Sequence, residues 1–333
     1  MAKEQVNALY EVLTETAAVL QEHMQVTYLD ALLETSENLL EGQIPENQKQ
    51  ILGESDTNVL LEKYNSIQMN QIAPENKRKA LQLAMLKGMK EEFVQPNHQM
   101  TPDSLGQLMG YFIQLFFEKE EQVRVVDFGV GSGNLLSVVS LTLEALNKKV
   151  IPEGIEVDEL LISLASVNFA FQEQEVRLTH QDALTNLLIQ PADIVVSDLP
   201  IGYYPQDDIA ATFDSSFDEG HSYAHYLFIE QGLKYLKANG LGLFLVPGNM
   251  FEEEKAKAIL DVVQDQGYIQ AIIQMPEEWF QNKKSIKNLL IVQKKGDQAK
   301  QASEVLFAKA PDFKNQYAVT KFLAEIRQWK KMG

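Results

Sequence analysis

Four acidic residues sit where strand-like apolar runs give way to turns, which is where nucleotide-binding sheets place ligand-facing carboxylates. Asp127-Phe-Gly129-Val-Gly131-Ser-Gly133 closes the run 123–128 and precedes a helical stretch that starts near Asn134. Glycines there permit a tight turn and let a ligand approach the backbone. The first amides of the helix point toward any carboxylate or phosphate. The spacing is G-x-G-x-G, not the G-x-G-x-x-G of dinucleotide folds, yet the loop alone leaves nicotinamide cofactors in play. Glu156, in Gly154-Ile-Glu156-Val-Asp158, ends the next run, where a carboxylate accepts both hydrogen bonds of a ribose diol. Asp158 is better placed to cap the following helix. Asp182, in Gln181-Asp182-Ala183, follows the third run and is placed to accept from an adenine amino group or to cap a turn. The fourth run ends in Asp198-Leu-Pro200-Ile-Gly202-Tyr203-Tyr204-Pro205.

The elements that must hold these residues change character near residue 100. Before it, Val6, Leu9, Leu13, Ala17 and Leu20, then Leu29, Leu32, Leu33, Leu39 and Leu40, recur at helical steps. Residues 57–68 and 78–93 read as further helices, with Pro45 and Pro74 between helical stretches. After it, apolar β-rich runs at 123–128, 154–157, 194–197, 241–246, 269–274 and 289–293, with a weaker one at 175–179, alternate with helical stretches. Those helices are expected at 135–147, 159–171, 224–237 and 252–266. Seven strands with intervening helices predict an α/β fold with an open, doubly wound sheet. The expected division is an N-terminal helical domain over 1–95, the sheet domain over 96–300, and a tail over 301–333 with a short strand near 305–307 and a helix at 319–329. The helical domain is expected to pack as a small bundle and to offer a surface for a protein partner or a dimer.

Composition bounds the function. Apolar content of 45% and charged content of 23% are those of an ordinary globular chain, with no run long enough to span a membrane. The absence of cysteine excludes disulfides and thiolate metal sites, and the start carries no basic-then-apolar signal, so a cytoplasmic setting is expected. The net charge of −18 argues against broad affinity for nucleic acid. Residues 1–70, with twelve Asp/Glu against Lys3, Lys49 and Lys63, supply half of it. The clusters Lys77-Arg78-Lys79, Lys283-Lys284-Lys287 and Lys330-Lys331 read as solvated faces. His221 and His225 share i,i+4 spacing but have no third ligand and no catalytic glutamate between them, so no metal is expected.

Taken together, Thr101-Pro102, D-x-G-x-G-S-G, G-x-E-x-D, Q-D-A and D-x-P-x-G resemble the amino-methyltransferases that act on adenine in DNA. The resemblance is closest to the modification subunits of type I restriction systems and their stand-alone bacterial relatives, and it spans about residues 95–295. It implies a class I methyltransferase (Rossmann-like) fold with S-adenosylmethionine (SAM) as methyl donor and S-adenosylhomocysteine (SAH) as product. By that resemblance Thr101 holds the methionine end of SAM, Asp127, Gly129, Gly131 and Gly133 form its loop, Glu156 takes the ribose and Asp182 the adenine. Asp198 and the Pro200 carbonyl would position the target amino group. Segments at 246–247, 275–280 and 285–292 also resemble stretches of those subunits. The family's catalytic [Asn/Asp]-Pro-Pro-[Tyr/Phe] becomes Asp198-Leu199-Pro200-Ile201, so Tyr203 or Tyr204 is required to supply the ring that stacks on a flipped base. No separate DNA-reading domain is apparent. The expected function is SAM-dependent transfer to an amino group, with a nucleic acid as acceptor. The alternative is a SAM-binding sensor or partner-binding protein that has lost catalysis. A nicotinamide-dependent dehydrogenase is set aside, because D-x-P-x-G after the fourth strand has no role there.

Overall fold

The computed structural model describes residues 2–92, 100–280 and 285–332. The chain forms two compact units: the first holds the chain up to Met100 together with 131–134 and 158–176, and the second holds the rest. No helix of the described residues is long and apolar enough to cross a membrane.

The first unit opens with four helices, α1 (Ala2–Met24), α2 (Tyr28–Glu41), α3 (Glu46–Asn65) and α4 (Pro74–Glu91). The helical-step leucines supply its core: Leu9, Leu13, Leu20, Leu29 and Leu32 are buried with Leu60, Leu81 and Met85. Leu164, Val167 and Phe171, from a helix far along the chain, complete the same cluster. A capping box, in which Thr27 and Asp30 satisfy each other's backbone, fixes the start of α2. Pro74 sits in the first turn of α4, where a missing amide costs nothing. The expected helix at 57–68 begins earlier, at Glu46, because a kink at Gly53 joins two helical pieces. Phe93, the expected end of α4, lies outside the described residues. Two pairs of buried polar side chains are satisfied within the first unit: Thr35 donates to Thr16 at 2.9 Å and Asn38 to Gln48 at 2.8 Å. Lys77 and Arg78 correct the solvated-face reading. Both are buried, Lys77 paired with Glu173 at 2.8 Å and Arg78 donating to Asn134 at 3.1 Å.

The remaining elements run α5 (Asp103–Phe116), β1 (Gln122–Asp127), α6 (Asn134–Glu144), β2 (Lys149–Glu156), α7 (Glu159–Phe171), β3 (Arg177–His180) and β4 (Ala192–Asp198). Then follow α8 (Asp207–Ala210), α9 (Ala224–Tyr235), β5 (Leu236–Pro247), α10 (Ala256–Gln266), β6 (Gly267–Gln274), β7 (Lys287–Lys294), β8 (Leu306–Lys309) and α11 (Gln316–Met332). Of these α7 belongs to the first unit. One sheet in the order β3-β2-β1-β4-β5-β7-β6-β8 carries the second unit. All pairings are parallel except those of β7, which runs against both β5 and β6. The seven expected strands are present, and the short strand of the tail is an eighth, which pairs Leu306–Lys309 with the free edge of β6. An open edge presents unpaired amides and carbonyls, so a following segment gains a full ladder by joining it.

The helix α5 was not among the expected elements, although Leu105, Leu108, Met109, Phe112 and Ile113 repeat at helical steps and are all buried. Its two glycines let it approach α6 closely. A Cβ built on Gly106 would fall 2.8 Å from Val138 Cγ1, and one on Gly110 would fall 2.6 Å from Thr142 Cγ2. Gly110→Ala is therefore expected to destabilise the chain by about 1–3 kcal/mol through overpacking, despite alanine's better helix propensity. A urea unfolding midpoint equal to or above that of the parent would contradict it.

Candidate functional site

Parallel strands end on one edge, and in this sheet the four acidic residues occupy that edge on adjacent strands. In spatial order they are Asp182, two residues past β3, then Glu156 ending β2, Asp127 ending β1 and Asp198 ending β4. The strand register pairs Glu156 with His180 and Asp127 with Gly154 and Val196, so the four lie near one level. Each carboxylate is held differently.

Asp127 is buried, 1% exposed. Its Oδ1 accepts from the Gly129 amide at 3.1 Å and from Ser197 Oγ at 2.8 Å. Among the described residues Oδ2 has no hydrogen-bond partner. Burial pushes this carboxyl up from 3.8 to about 7, against the pull of the Gly129 and Ser197 hydrogen bonds and with help from Glu156 and Asp198. The next residues of the loop belong to the first unit. Gly131 and Gly133 adopt φ of +53° and +82°, the left-handed region that favours glycine. A Cβ on Gly133 would also meet Phe169 at 2.9 Å.

Glu156 accepts from its neighbour's amide, Val157 N, at 2.9 Å. Asp158 caps α7 as expected, accepting from Leu161 N at 2.9 Å. Asp182 is fully engaged: Oδ1 accepts from Leu184 N at 2.9 Å, and Oδ2 from Tyr204 Oη at 2.6 Å and Gln206 Nε2 at 3.3 Å. Tyr204 is buried, and burial and Asp182 together push its phenol upward. This tyrosine therefore supports a carboxylate three strands away in the sheet, and its ring is not exposed.

At Asp198, Thr101 Oγ1 donates to Oδ2 at 2.9 Å. The other oxygen, Oδ1, accepts from Lys287 Nζ at 2.5 Å. Lys287 was read as part of a solvated cluster; it is 17% exposed and ion-paired, while Lys283 and Lys284 lie outside the described residues. Leu199 is buried, its amide bonded to Leu245 O, and Ile201 is 40% exposed. Pro200 is half-buried. Tyr203 is 62% exposed, with its ring stacked on Tyr223 at 5.0 Å and 16°.

The connection 203–223 is tied down at both ends. Tyr203 and Tyr223 form a β-bridge, Tyr204 N donates to Ser222 O and Ala224 N to Gly202 O. Midway, the Glu230 carboxylate accepts from the amides of Asp214 and Ser215. His221 is exposed and bonded to Asp207 at 2.8 Å. His225 is buried between Tyr223 and Tyr226, and burial pushes its imidazole down to about 4. No group of three metal-capable side chains occurs among the described residues.

Sequence reasoning missed Ser197, Tyr204 as a partner of Asp182, and Lys287. For Lys287 the sequence carries no local signal: the apolar run of its strand begins only at Leu289, and the reversed sense of that strand shows only in the assembled sheet.

Residues 7–89 match the YtxK N-terminal helical domain, and residues 95–328 match the N-6 DNA methylase family. The uncharacterised protein YtxK of Bacillus subtilis is 36% identical over 99% of both chains. A solved structure of a candidate class I SAM-dependent methyltransferase from Listeria monocytogenes is 40% identical, with a TM-score of 0.92 over 98% of this chain and 99% of that one. The methyltransferase subunit of a type I restriction-modification system from Streptococcus thermophilus shares the fold at 18% identity, with a TM-score of 0.68 over 97% of this chain and 74% of that one.

The raised carboxyl of Asp127 gives stability a definite pH dependence. Between about pH 4 and 7 the folded chain keeps a proton that the unfolded chain releases, so stability falls as pH rises through that window. Asp127→Asn has no such proton and keeps the oxygen that Gly129 and Ser197 bond. It is expected to be more stable than the parent at pH 8, by on the order of 2 kcal/mol, and no more stable at pH 4. Urea unfolding at both pH values checks this, and parallel curves for the two proteins would refute it.

Proposed function

Because this chain belongs to the N-6 DNA methylase family of SAM-dependent methyltransferases and carries a YtxK-type helical domain ahead of the methylase fold, we propose that it binds SAM along the acidic edge and presents an amino group to the methyl at Asp198. The fold is the class I methyltransferase fold, Rossmann-like, with its reversed strand β7. The observation that carries the proposal is the row of four carboxylates on four adjacent strand ends. The residues fit the donor: the buried Oδ2 of Asp127 has no partner among the described residues. When bound, SAM supplies an electrophilic methyl group on a sulfonium.

In this reading Asp127 and the glycine loop hold the methionine portion, Glu156 the ribose hydroxyls and Asp182 the adenine amino group. Thr101 is proposed to meet the methionine end of SAM, while its hydroxyl orients Asp198. An acceptor N–H donates to Asp198 and another to the Pro200 carbonyl. That draws the nitrogen lone pair out of conjugation and aims it at the methyl, so that positioning and hydrogen bonding supply the rate. Tyr203, exposed and backed by Tyr223, takes the place of the missing aromatic at Ile201. Such stacking is worth about 1–3 kcal/mol per base. The proposed acceptor is an adenine in nucleic acid. The net charge of −18 confines any nucleic-acid contact to a local surface. The helical domain, 1–95, is proposed to serve a protein partner or a second copy, with 96–300 as the methyltransferase domain and 301–333 as its tail.

A second reading, a SAM-binding protein without catalysis, is favoured by one observation: both oxygens of Asp198 are already engaged, by Thr101 and Lys287. Calorimetry with SAM and transfer of a labelled methyl group to single-stranded DNA separate the two. Under the first reading, Asp198→Ala still binds SAM and loses transfer by about a hundredfold or more. Binding with no transfer by the parent chain supports the second. Failure to bind SAM at all overturns both.

A further inference from the structure

The charge of the acceptor side turns on a residue outside the four acidic motifs. β7 runs against β5, so its first residue, Lys287, lies opposite Pro247 at the edge where β4 also ends. With β5 between them, β7 and β4 stand two strand spacings apart, roughly 9–10 Å. A long side chain crosses that gap, and the Lys287 ammonium meets Asp198 Oδ1 at 2.5 Å. The two side chains are 17% and 19% exposed, so solvent screens the pair less than it would a surface ion pair. Thr101, itself buried, fixes the other oxygen and with it the orientation of the carboxylate.

We propose that Lys287 is a specificity-determining residue that sets the site's preference between the charged methyl donor and its neutral, demethylated product. The proposal rests on the SAM reading above. SAM and SAH differ by one methyl group and one positive charge, the sulfonium. A lone carboxylate at Asp198 would favour the sulfonium strongly, since Coulomb attraction is steep where water is scarce. Lys287 cancels that carboxylate. The same ammonium occupies the oxygen to which an acceptor amino group would donate. The site thus holds SAH about as tightly as SAM, and the chain responds to their ratio as well as to the donor.

Calorimetry on the full chain with SAM and with SAH tests this. The parent is expected to bind the two within about threefold of each other. Lys287→Met leaves Asp198 uncancelled and shifts the ratio of affinities toward SAM by about tenfold or more. Lys287→Arg, which keeps the charge, leaves the ratio near that of the parent. Asp198→Asn leaves the ammonium uncancelled and shifts the ratio toward SAH by about threefold or more. A purely structural role for Lys287 would weaken both ligands together and leave the ratio fixed. Ratios for Lys287→Met and Asp198→Asn within about twofold of the parent overturn the proposal. If circular dichroism shows Lys287→Met unfolded, the Asp198→Asn ratio decides alone. If neither ligand binds the parent, the SAM reading fails first and takes the proposal with it.

Discussion

The reversal of β7 governs how this site is built. In a sheet of parallel strands every amino end lies on one edge and every carboxyl end on the other, and ligand chemistry gathers on the carboxyl edge. β7 enters between β5 and β6 in the opposite sense. Its first residue therefore arrives on the same edge as the last residues of β4 and β5, carrying a cation to a place otherwise lined by acids. The ion pair between Lys287 and Asp198 follows from that topology, because no following strand of parallel sense could begin there.

Acids crowded on one edge repel one another, and the chain relieves this separately at each position. Asp127 is buried so deeply that its carboxyl is pushed to about 7, and it keeps two donors on one oxygen. Asp182 is satisfied by a backbone amide and by the Tyr204 phenol. Asp198 has a hydroxyl and an ammonium. Glu156 takes an amide from its own strand end. Tyr204 also ties two parts of the edge together. It lies six residues past Asp198 and bonds the carboxylate beyond β3, so displacement of the loop after β4 disturbs Asp182 as well.

Most of the fold was legible in the sequence because its signals are local. Alternating apolar runs and turn glycines marked seven strands, and the helical-step leucines of the first unit marked its helices. The helix α5 escaped although its periodicity is local. The rest of what escaped is non-local: the tail's short strand is expected near 305–307, but its pairing with β6 depends on an edge that exists only once the sheet is assembled. The acidic positions were readable because each follows a strand directly. Their partners were not: Ser197 meets Asp127 from the neighbouring strand, Thr101 meets Asp198 across 97 residues, and Lys287 does so across 89. Lys77 and Arg78 were misjudged for the same reason, since their partners Glu173 and Asn134 lie far along the chain.

For Asp198 to accept from a substrate amino group, one of its two present partners must yield, and the structure makes the two unequal. Thr101 is buried, with a short side chain just ahead of α5, so its hydroxyl has little room to leave Oδ2. Lys287 holds Oδ1 through a four-carbon stem that rotates without disturbing β7, whose ladder to β5 and β6 is made by the main chain. Oδ2 is therefore the oriented, structural oxygen and Oδ1 the exchangeable one. Exchange replaces one nitrogen donor with another, so the hydrogen bond is conserved, and the cost lies in separating opposite charges in a poorly solvated place. A neutral amino group bears that cost in full. On the proposed reading, the same ammonium that cancels Asp198 toward the sulfonium also sets the barrier to engaging an acceptor.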